Sequence, residues 1–158
     1  MVRGGVIVLA AATTLALASC TDETTGSEET LVLIESDKGS HFAPVGKYPP
    51  NINPPPGSGF SLSIPLQEAS GTERVGEINA VCIATQPGFR EGPNLQGTCS
   101  GTADVPDGGL ALNVGGEIRE SVTGAIVGGT GKYEGATGTF TSEPYGKGSR
   151  DTFNITLP

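Results

Sequence analysis

The stretch "GAIVGGTGKYEGATGTF", residues 124–140, decides the fold, because its glycines fit two very different structures. A phosphate-binding P-loop needs a glycine five residues before its Gly-Lys pair, and Ser or Thr directly after it. Ile126 and Tyr133 occupy these two positions. A dinucleotide-binding fingerprint would need its third glycine where the chain has Glu134. The stretch therefore predicts a tight β-hairpin whose glycines allow positive φ and close backbone contacts.

In the rest of the chain, glycine and proline are spaced as is typical of an all-β protein. Its 25 glycines and 12 prolines interrupt the runs that would otherwise read as helices. Eight short runs remain, and their regular spacing favours an antiparallel sandwich or barrel. Eight strands can close into a barrel that has no exposed edges and can hold one small ligand. The predicted strands are 31–36, 60–66, 74–85, 95–105, 110–114, 121–127, 135–142 and 152–157, and the proline-rich segment 39–59 is predicted to be a loop.

The positions of two cysteines give independent evidence for one of these hairpins. If the strands 74–85 and 95–105 pair antiparallel around the loop between them, every pair of opposite residues has the same sum of residue numbers. Cys82 and Cys99 are equidistant from the middle of that loop, so they can be direct partners. Cβ atoms at such sites are about 4.5–5.5 Å apart, close to the geometry of a disulfide. We therefore expect a bond between them.

The first 20 residues have the pattern of an export signal, with a basic residue, an apolar run and a small residue before Cys20. This pattern is typical of a bacterial lipoprotein, in which the cysteine is lipidated and becomes the N-terminus. The alternative is an ordinary secretory signal cleaved near Ala18. We expect an extracytoplasmic protein that is anchored to the bacterial cell envelope through Cys20. The predicted organisation is a signal peptide at 1–19, a polar tether at 20–30 and one domain at 31–158.

Composition excludes several function classes. The formal net charge is −8, and no basic patch interrupts it, so nucleic acid is not an expected partner. His41 is the single histidine of the chain, which disfavours a zinc site of the usual kind. With no nucleotide motif either, we expect no metal and no cofactor.

Three segments together resemble the allene oxide cyclase and dirigent superfamily of eight-stranded antiparallel barrels, which are often trimeric. The glycine stretch is similar to the signature hairpin of that superfamily. The segment "ERVGEINAVCIAT" (73–85) is similar to a strand of plant allene oxide cyclases, and "LQGTCSGTADVPDGGLALNVGG" (95–116) is similar to the next hairpin of bacterial members. The resemblance spans 31–158 and is most specific over 74–142.

The resemblance also implies site residues. Plant cyclases have a cavity-facing glutamate, an asparagine two residues later, a proline nine residues after the glutamate, and a cysteine. Glu35, Pro44 and Cys82 match this pattern, whereas Asp37 replaces the asparagine. A bond to Cys99 would deny the site a free thiol.

Glu35 has two interpretations. It shares the strand face of Leu31 and Leu33, which would place it in the lumen, where burial favours its neutral form. Its successors are polar, which would place it in solvent at a strand end. In the lumen, such a carboxylate is suited to stabilise positive charge that develops on an opening epoxide, as the resemblance implies.

Two function hypotheses follow. The first is an envelope-anchored barrel that binds an apolar small molecule and acts as a cofactor-independent cyclase or isomerase by confining its substrate. The second is a non-catalytic ligand carrier or structural surface module. Apolar residues on the outward face of the first strand (Val32, Ile34) and beside Cys82 (Val81, Ile83) also predict a homotrimer that covers them.

Overall fold

The computed structural model describes residues 26–49, 53–86, 95–118 and 120–158, and all regular structure in these ranges is β-strand. Among these residues, no helix has the length and apolar character needed to cross a bilayer. The predicted signal peptide and Cys20 lie outside the described residues. The strands are β1 (Glu28–Glu35), β2 (His41–Val45), β3 (Gly59–Glu68), β4 (Arg74–Ala84), β5 (Leu95–Val105), β6 (Gly108–Ile118), β7 (Val122–Gly131), β8 (Thr137–Tyr145) and β9 (Gly148–Thr156).

Eight of these strands form a closed antiparallel barrel. Each strand from β3 to β9 pairs with the next, and β1 completes the ring by pairing with both β9 and β3. The closing contact is short, with Leu33–Glu35 opposite Leu66–Glu68. The predicted all-β, eight-stranded barrel is therefore confirmed.

The prediction that 39–59 is wholly loop is wrong, because β2 lies inside it. This five-residue strand pairs with Gly59–Ser63 on the edge of β3 that β1 uses further along. The two strands are separated by a turn at which the Ser36 amide donates to the Pro65 carbonyl, 2.9 Å away. Pro44 is tolerated because β2 is the last strand in the sheet order, so its outer edge needs no amide donor.

Strand β1 begins three residues earlier than predicted. Glu28, Glu29 and Thr30 were expected in the tether, but they pair with Thr156, Ile155 and Asn154 of β9. The polar composition of residues 28–30 does not predict this pairing, because backbone hydrogen bonds to β9 form regardless of the side chains.

The cysteine hairpin has the predicted register. Cys82 of β4 lies directly opposite Cys99 of β5, and the two form a disulfide with Cα atoms 4.0 Å apart. Both side chains point into the barrel and are buried. The predicted disulfide is confirmed in the structure.

The glycine stretch forms the β7–β8 hairpin and not a phosphate loop. Its turn carries Tyr133 back over one end of the barrel, where the side chain is only 2% exposed. A Cβ atom at Gly129 would lie 2.3 Å from the Tyr133 carbonyl oxygen, so this position requires glycine. Gly131 and Gly135 flank the turn with φ of 64° and 75°. Glycine therefore allows the chain to close this end.

Candidate functional site

The interior of the barrel has two different halves. In the half near the Tyr133 turn, which we term the closed end, the lumen is packed with buried side chains. The most buried of them are at most 2% exposed: Leu110, Tyr133, Ala136 and Ile155.

The opposite half, the open end, lies where β1 ends at Glu35 and β9 begins at Gly148. It contains a cavity of about 120 Å³. Among the described residues, the polar side chains in its wall are Glu35 and Ser142, and the remaining wall is apolar or glycine. The cavity wall includes Leu62, Ile78, Cys82, Cys99, Val114 and Phe140. The lumen of the open end is therefore small and apolar, with one carboxyl group at its margin.

Strand register explains how the polar residues meet. Leu33 of β1, Asp151 of β9 and Ser142 of β8 are successive partners, so their side chains face the same side, which is the lumen. Glu35 lies two residues after Leu33 and therefore shares that face. The result is a pair of inward carboxyl groups, Glu35 and Asp151, which we term the carboxyl pair.

Asp151 is the most unusual residue of the site. It is 0% exposed, and neither of its carboxyl oxygens has a hydrogen-bond partner of good geometry among the described residues. The Ser142 hydroxyl and the Glu35 carboxyl affect the pKa of Asp151, but neither meets the geometry of a hydrogen bond to its oxygens. Burial, followed by the charge of Glu35, raises the pKa of Asp151 to about 8. The carboxyl pair therefore retains a proton at neutral pH.

Glu35 is the accessible member of the pair. It is half-buried, and burial raises its pKa, although interactions with Ser149 and Asp151 oppose that change. It borders the lumen cavity and also an outer groove of about 480 Å³ between the β1–β2 turn, Phe42 and the β8–β9 turn. Glu35 thus lies at the boundary between lumen and solvent.

The structure separates the residues that the resemblance grouped. Glu35 faces the lumen, which is the first of its two interpretations. Asp37 and Pro44 are exposed, and neither borders the lumen cavity; Asp37 borders the outer groove. Cys82 borders the cavity, but its sulfur is bonded to Cys99 and is not a free thiol. The expectation that all four share one cavity is therefore wrong for Asp37 and Pro44, because the turn at 36–40 and the position of β2 carry them out of the barrel.

Sequence reasoning missed Asp151, Ser142 and Ser149. The last strand was predicted to begin at residue 152, which left Asp151 in a turn. The signal was present, since Asp151 alternates with Phe153 and Ile155 and therefore shares their face. A charged residue on an apolar face is rare, which makes such a position hard to recognise from the sequence alone. Among the described residues, no cluster of three or more His, Cys, Asp or Glu could hold a metal ion.

Comparison with solved structures places this geometry in a known class of fold. A pyocyanin demethylase superposes with a TM-score of 0.62 at 19% identity, covering 82% of this chain and all of the other. A pterocarpan synthase dirigent protein gives 0.55 at 18% identity, covering 84% and 88%. The Diels–Alderase AbmU from Streptomyces koyangensis gives 0.55 at 10% identity, covering 86% and 71%. No protein-family model and no curated protein sequence matches the chain. The protein therefore has the β-barrel fold that these solved structures share.

Proposed function

We propose that the barrel binds a small apolar molecule in its open end and acts on it as a cofactor-independent cyclase or isomerase. The observation that supports this is an apolar cavity bordered by one accessible carboxyl group, Glu35. Solved structures of similar fold include a Diels–Alderase and a pterocarpan synthase, whose names describe reactions that shape a bound organic molecule. Such reactions depend on holding the substrate in one conformation, and that restriction alone supplies several kcal/mol.

Glu35 is the group that would act on the substrate. In its protonated form it donates a proton to a developing oxyanion, and in its ionised form it stabilises developing positive charge. Asp151 has no access to the cavity and is a positioning residue, which keeps a proton available to Glu35. The apolar wall excludes water, so either interaction is stronger there than in solvent.

The experiment that tests lumen binding is native mass spectrometry of the purified protein, with a matched pair of variants. Ala80 borders the cavity, whereas Ala125 lies on the outer wall of β7. We expect Ala80→Phe to remove any co-purified small molecule and Ala125→Phe to retain it. A ligand that persists in Ala80→Phe would show that the lumen is not the binding site.

A non-catalytic carrier is the second candidate function. The disulfide favours it, because the lumen lacks the free thiol that the resemblance to plant cyclases implies. Once a ligand is identified, turnover by the wild type and by Glu35→Gln separates the two functions. A bound but unchanged ligand in both supports the carrier.

We also propose that the protein is a lipoprotein of the cell envelope, held by a lipid on Cys20. Cys20→Ser should move the protein from the membrane fraction to the soluble fraction. A membrane-associated Cys20→Ser variant would overturn this anchor.

We propose in addition that the barrel assembles as a homotrimer. Val81 is 44% exposed on the outer wall, and Val32, Ile34 and Ile83 are partly exposed there too. Burial of these side chains between copies would be favourable. Sedimentation at micromolar concentration tests the assembly, and a clean monomer would overturn it.

A further inference from the structure

The lumen cavity and the outer groove share two wall residues, Glu35 and Ile64. Ile64 is buried in β3, whereas Glu35 is half-buried at the last position of β1. Beyond Glu35, the groove opens to solvent between the β1–β2 turn and the β8–β9 turn. The Glu35 side chain therefore lies between the apolar cavity and water, and a change in its position would change access to the cavity.

Glu35 also lies in the shortest strand pairing of the barrel among the described strands. Strand β1 closes the ring against β3 through three residue pairs, and Glu35 opposite Leu66 is the last of them. Continued by one residue, the β1–β9 register places Glu35 opposite Ser149 and diagonal to Asp151. Residues at such diagonal positions are within reach of long side chains. Backbone pairing thus brings the carboxyl pair together at the point where the barrel closes.

The proton of the carboxyl pair belongs to Asp151. This residue is 0% exposed and has no water to solvate a charge, whereas Glu35 reaches the groove. Burial raises the pKa of both carboxyl groups, but their interaction with each other raises the pKa of Asp151 further and opposes the rise at Glu35. This is the pattern of a neutral donor beside an ionised acceptor. Asp151 is therefore the donor of the pair, and the Glu35 carboxylate is the acceptor.

The other charged groups on the strands and turns packed against the pair are exposed: Asp37, Lys38, Glu68, Glu143, Lys147 and Arg150. Within the described ranges, neither member of the pair forms an ion pair with Lys or Arg. Lys147 borders the groove on the solvent side of Glu35. A Glu35 side chain that turned outward would therefore gain water and a nearby cation, while Asp151 stayed enclosed in the barrel.

Building on the proposed lumen binding, we propose that Glu35 is a gate between the outer groove and the lumen cavity, and that the proton of Asp151 holds this gate closed. In the closed state, the Asp151 O–H donates to the Glu35 carboxylate and keeps it against the cavity wall. Loss of that proton to solvent leaves two poorly solvated carboxylates side by side, and they repel each other. Because Asp151 is enclosed, Glu35 turns into the groove and the lumen opens. A small apolar ligand then enters and leaves through the groove at a rate that depends on pH.

Xenon is a suitable probe of this gate, because it is uncharged at every pH and binds in apolar protein cavities. Its rate of exchange between water and the lumen of the full-length protein is measured by ¹²⁹Xe NMR saturation transfer at pH 7 and pH 9.5. Asp151→Asn keeps a donor but cannot ionise, and Glu35→Ala has no gate side chain. Ala80→Phe fills the cavity and identifies the xenon signal of the lumen. Glu143→Gln on the outer wall is the control.

In the wild type and in Glu143→Gln, we expect exchange to be about tenfold faster at pH 9.5 than at pH 7, because repulsion within the pair opens the gate. Exchange should be slow at both pH values in Asp151→Asn and fast at both in Glu35→Ala.

Two results would overturn the gate while lumen binding stands: xenon exchange in the wild type that does not change with pH, or a pH effect that persists in Asp151→Asn. If the wild type binds no xenon, lumen binding fails and the gate fails with it. The expected pH dependence, found in a protein that carries no ligand in native mass spectrometry, would support the gate and count against the proposed function.

Discussion

The two ends of this barrel differ in how the lumen is packed. At the closed end, the Tyr133 turn and large apolar side chains fill the lumen, and exposure falls to 0–2%. At the open end, two carboxyl groups face inward and there is a cavity of about 120 Å³. The open end thus gives up packing contacts and accepts buried polar groups, and both choices lower stability. The comparison indicates that the closed end supports the fold, whereas the open end is where the proposed ligand would bind.

The largest expected effect comes from two leucines of one strand. Leu66 is 0% exposed and does not border the cavity, whereas Leu62 is only partly buried beside it. We expect Leu66→Ala to lower the free energy of unfolding by about 4 kcal/mol, because it creates a new void in packed surroundings. Leu62→Ala enlarges an existing cavity and should cost about 1–2 kcal/mol. Urea denaturation measures both, and equal losses would contradict the difference between the packed position and the position that borders the cavity.

The disulfide stabilises the open end by a means other than packing. Cys82 and Cys99 are 17 residues apart and line the cavity. A cross-link over a loop of that size is worth about 3 kcal/mol in the chain-entropy model. We expect the double variant Cys82→Ala/Cys99→Ala to lose about this much in denaturant unfolding. The wild type in strong reductant is the control and should lose a similar amount, while Leu66→Ala should remain equally sensitive to reductant.

The cross-link was the part of this site that the sequence predicted best, for a geometric reason. Antiparallel pairing relates two positions by a simple sum, so Cys82 and Cys99 could be placed opposite each other without knowledge of the rest of the fold. The glycine hairpin could be predicted equally well, because positive φ and close backbone contacts restrict the choice of residue at Gly129 and its neighbours. Such local constraints leave a direct trace in sequence.

Other features depended on contacts between distant segments and left no such trace. Strand β2 forms because β3 offers it an edge, although Pro44 and the prolines after it are typical of a loop. Asp151 faces the lumen because of its register with Leu33, more than a hundred residues away. Asp37 resembled a cavity residue by spacing, but a turn that spacing alone does not reveal moves it into the groove.

Stability should depend on pH through Asp151. Its pKa rises from 3.8 to about 8 on folding, so the folded state binds more protons than the unfolded state between these values. The contribution of Asp151 to the free energy of unfolding should therefore be highest below about pH 4, fall as pH rises, and be lowest above about pH 8. Asp151→Asn removes the titration. We expect the wild type to lose several kcal/mol of stability relative to this variant between pH 4 and pH 9, because each unit of the pKa difference is worth about 1.4 kcal/mol.

Thermal unfolding of both proteins across this pH range provides the measurement. Glu143→Gln, an exposed change on the adjacent strand, should leave the pH dependence of the wild type intact. A wild type whose stability rises between pH 5 and pH 9 would show that Asp151 is ionised and stabilised by partners, contrary to its environment in the structure.

The smallest expected effect distinguishes the two polar neighbours of the carboxyl pair. Ser142 is 7% exposed, and its hydroxyl lowers the pKa of Asp151 by favouring the ionised form. Ser142→Ala should therefore move the pH midpoint of the stability change upward, by an amount equivalent to about 1 kcal/mol. Ser149 acts on Glu35 instead, so Ser149→Ala should raise the pKa of Glu35 with a lesser effect on Asp151. Carboxyl ¹³C chemical shifts followed through the titration resolve the two groups. If Ser142→Ala lowered the midpoint, the Ser142 hydroxyl would be accepting the O–H of the protonated carboxyl rather than donating to a carboxylate.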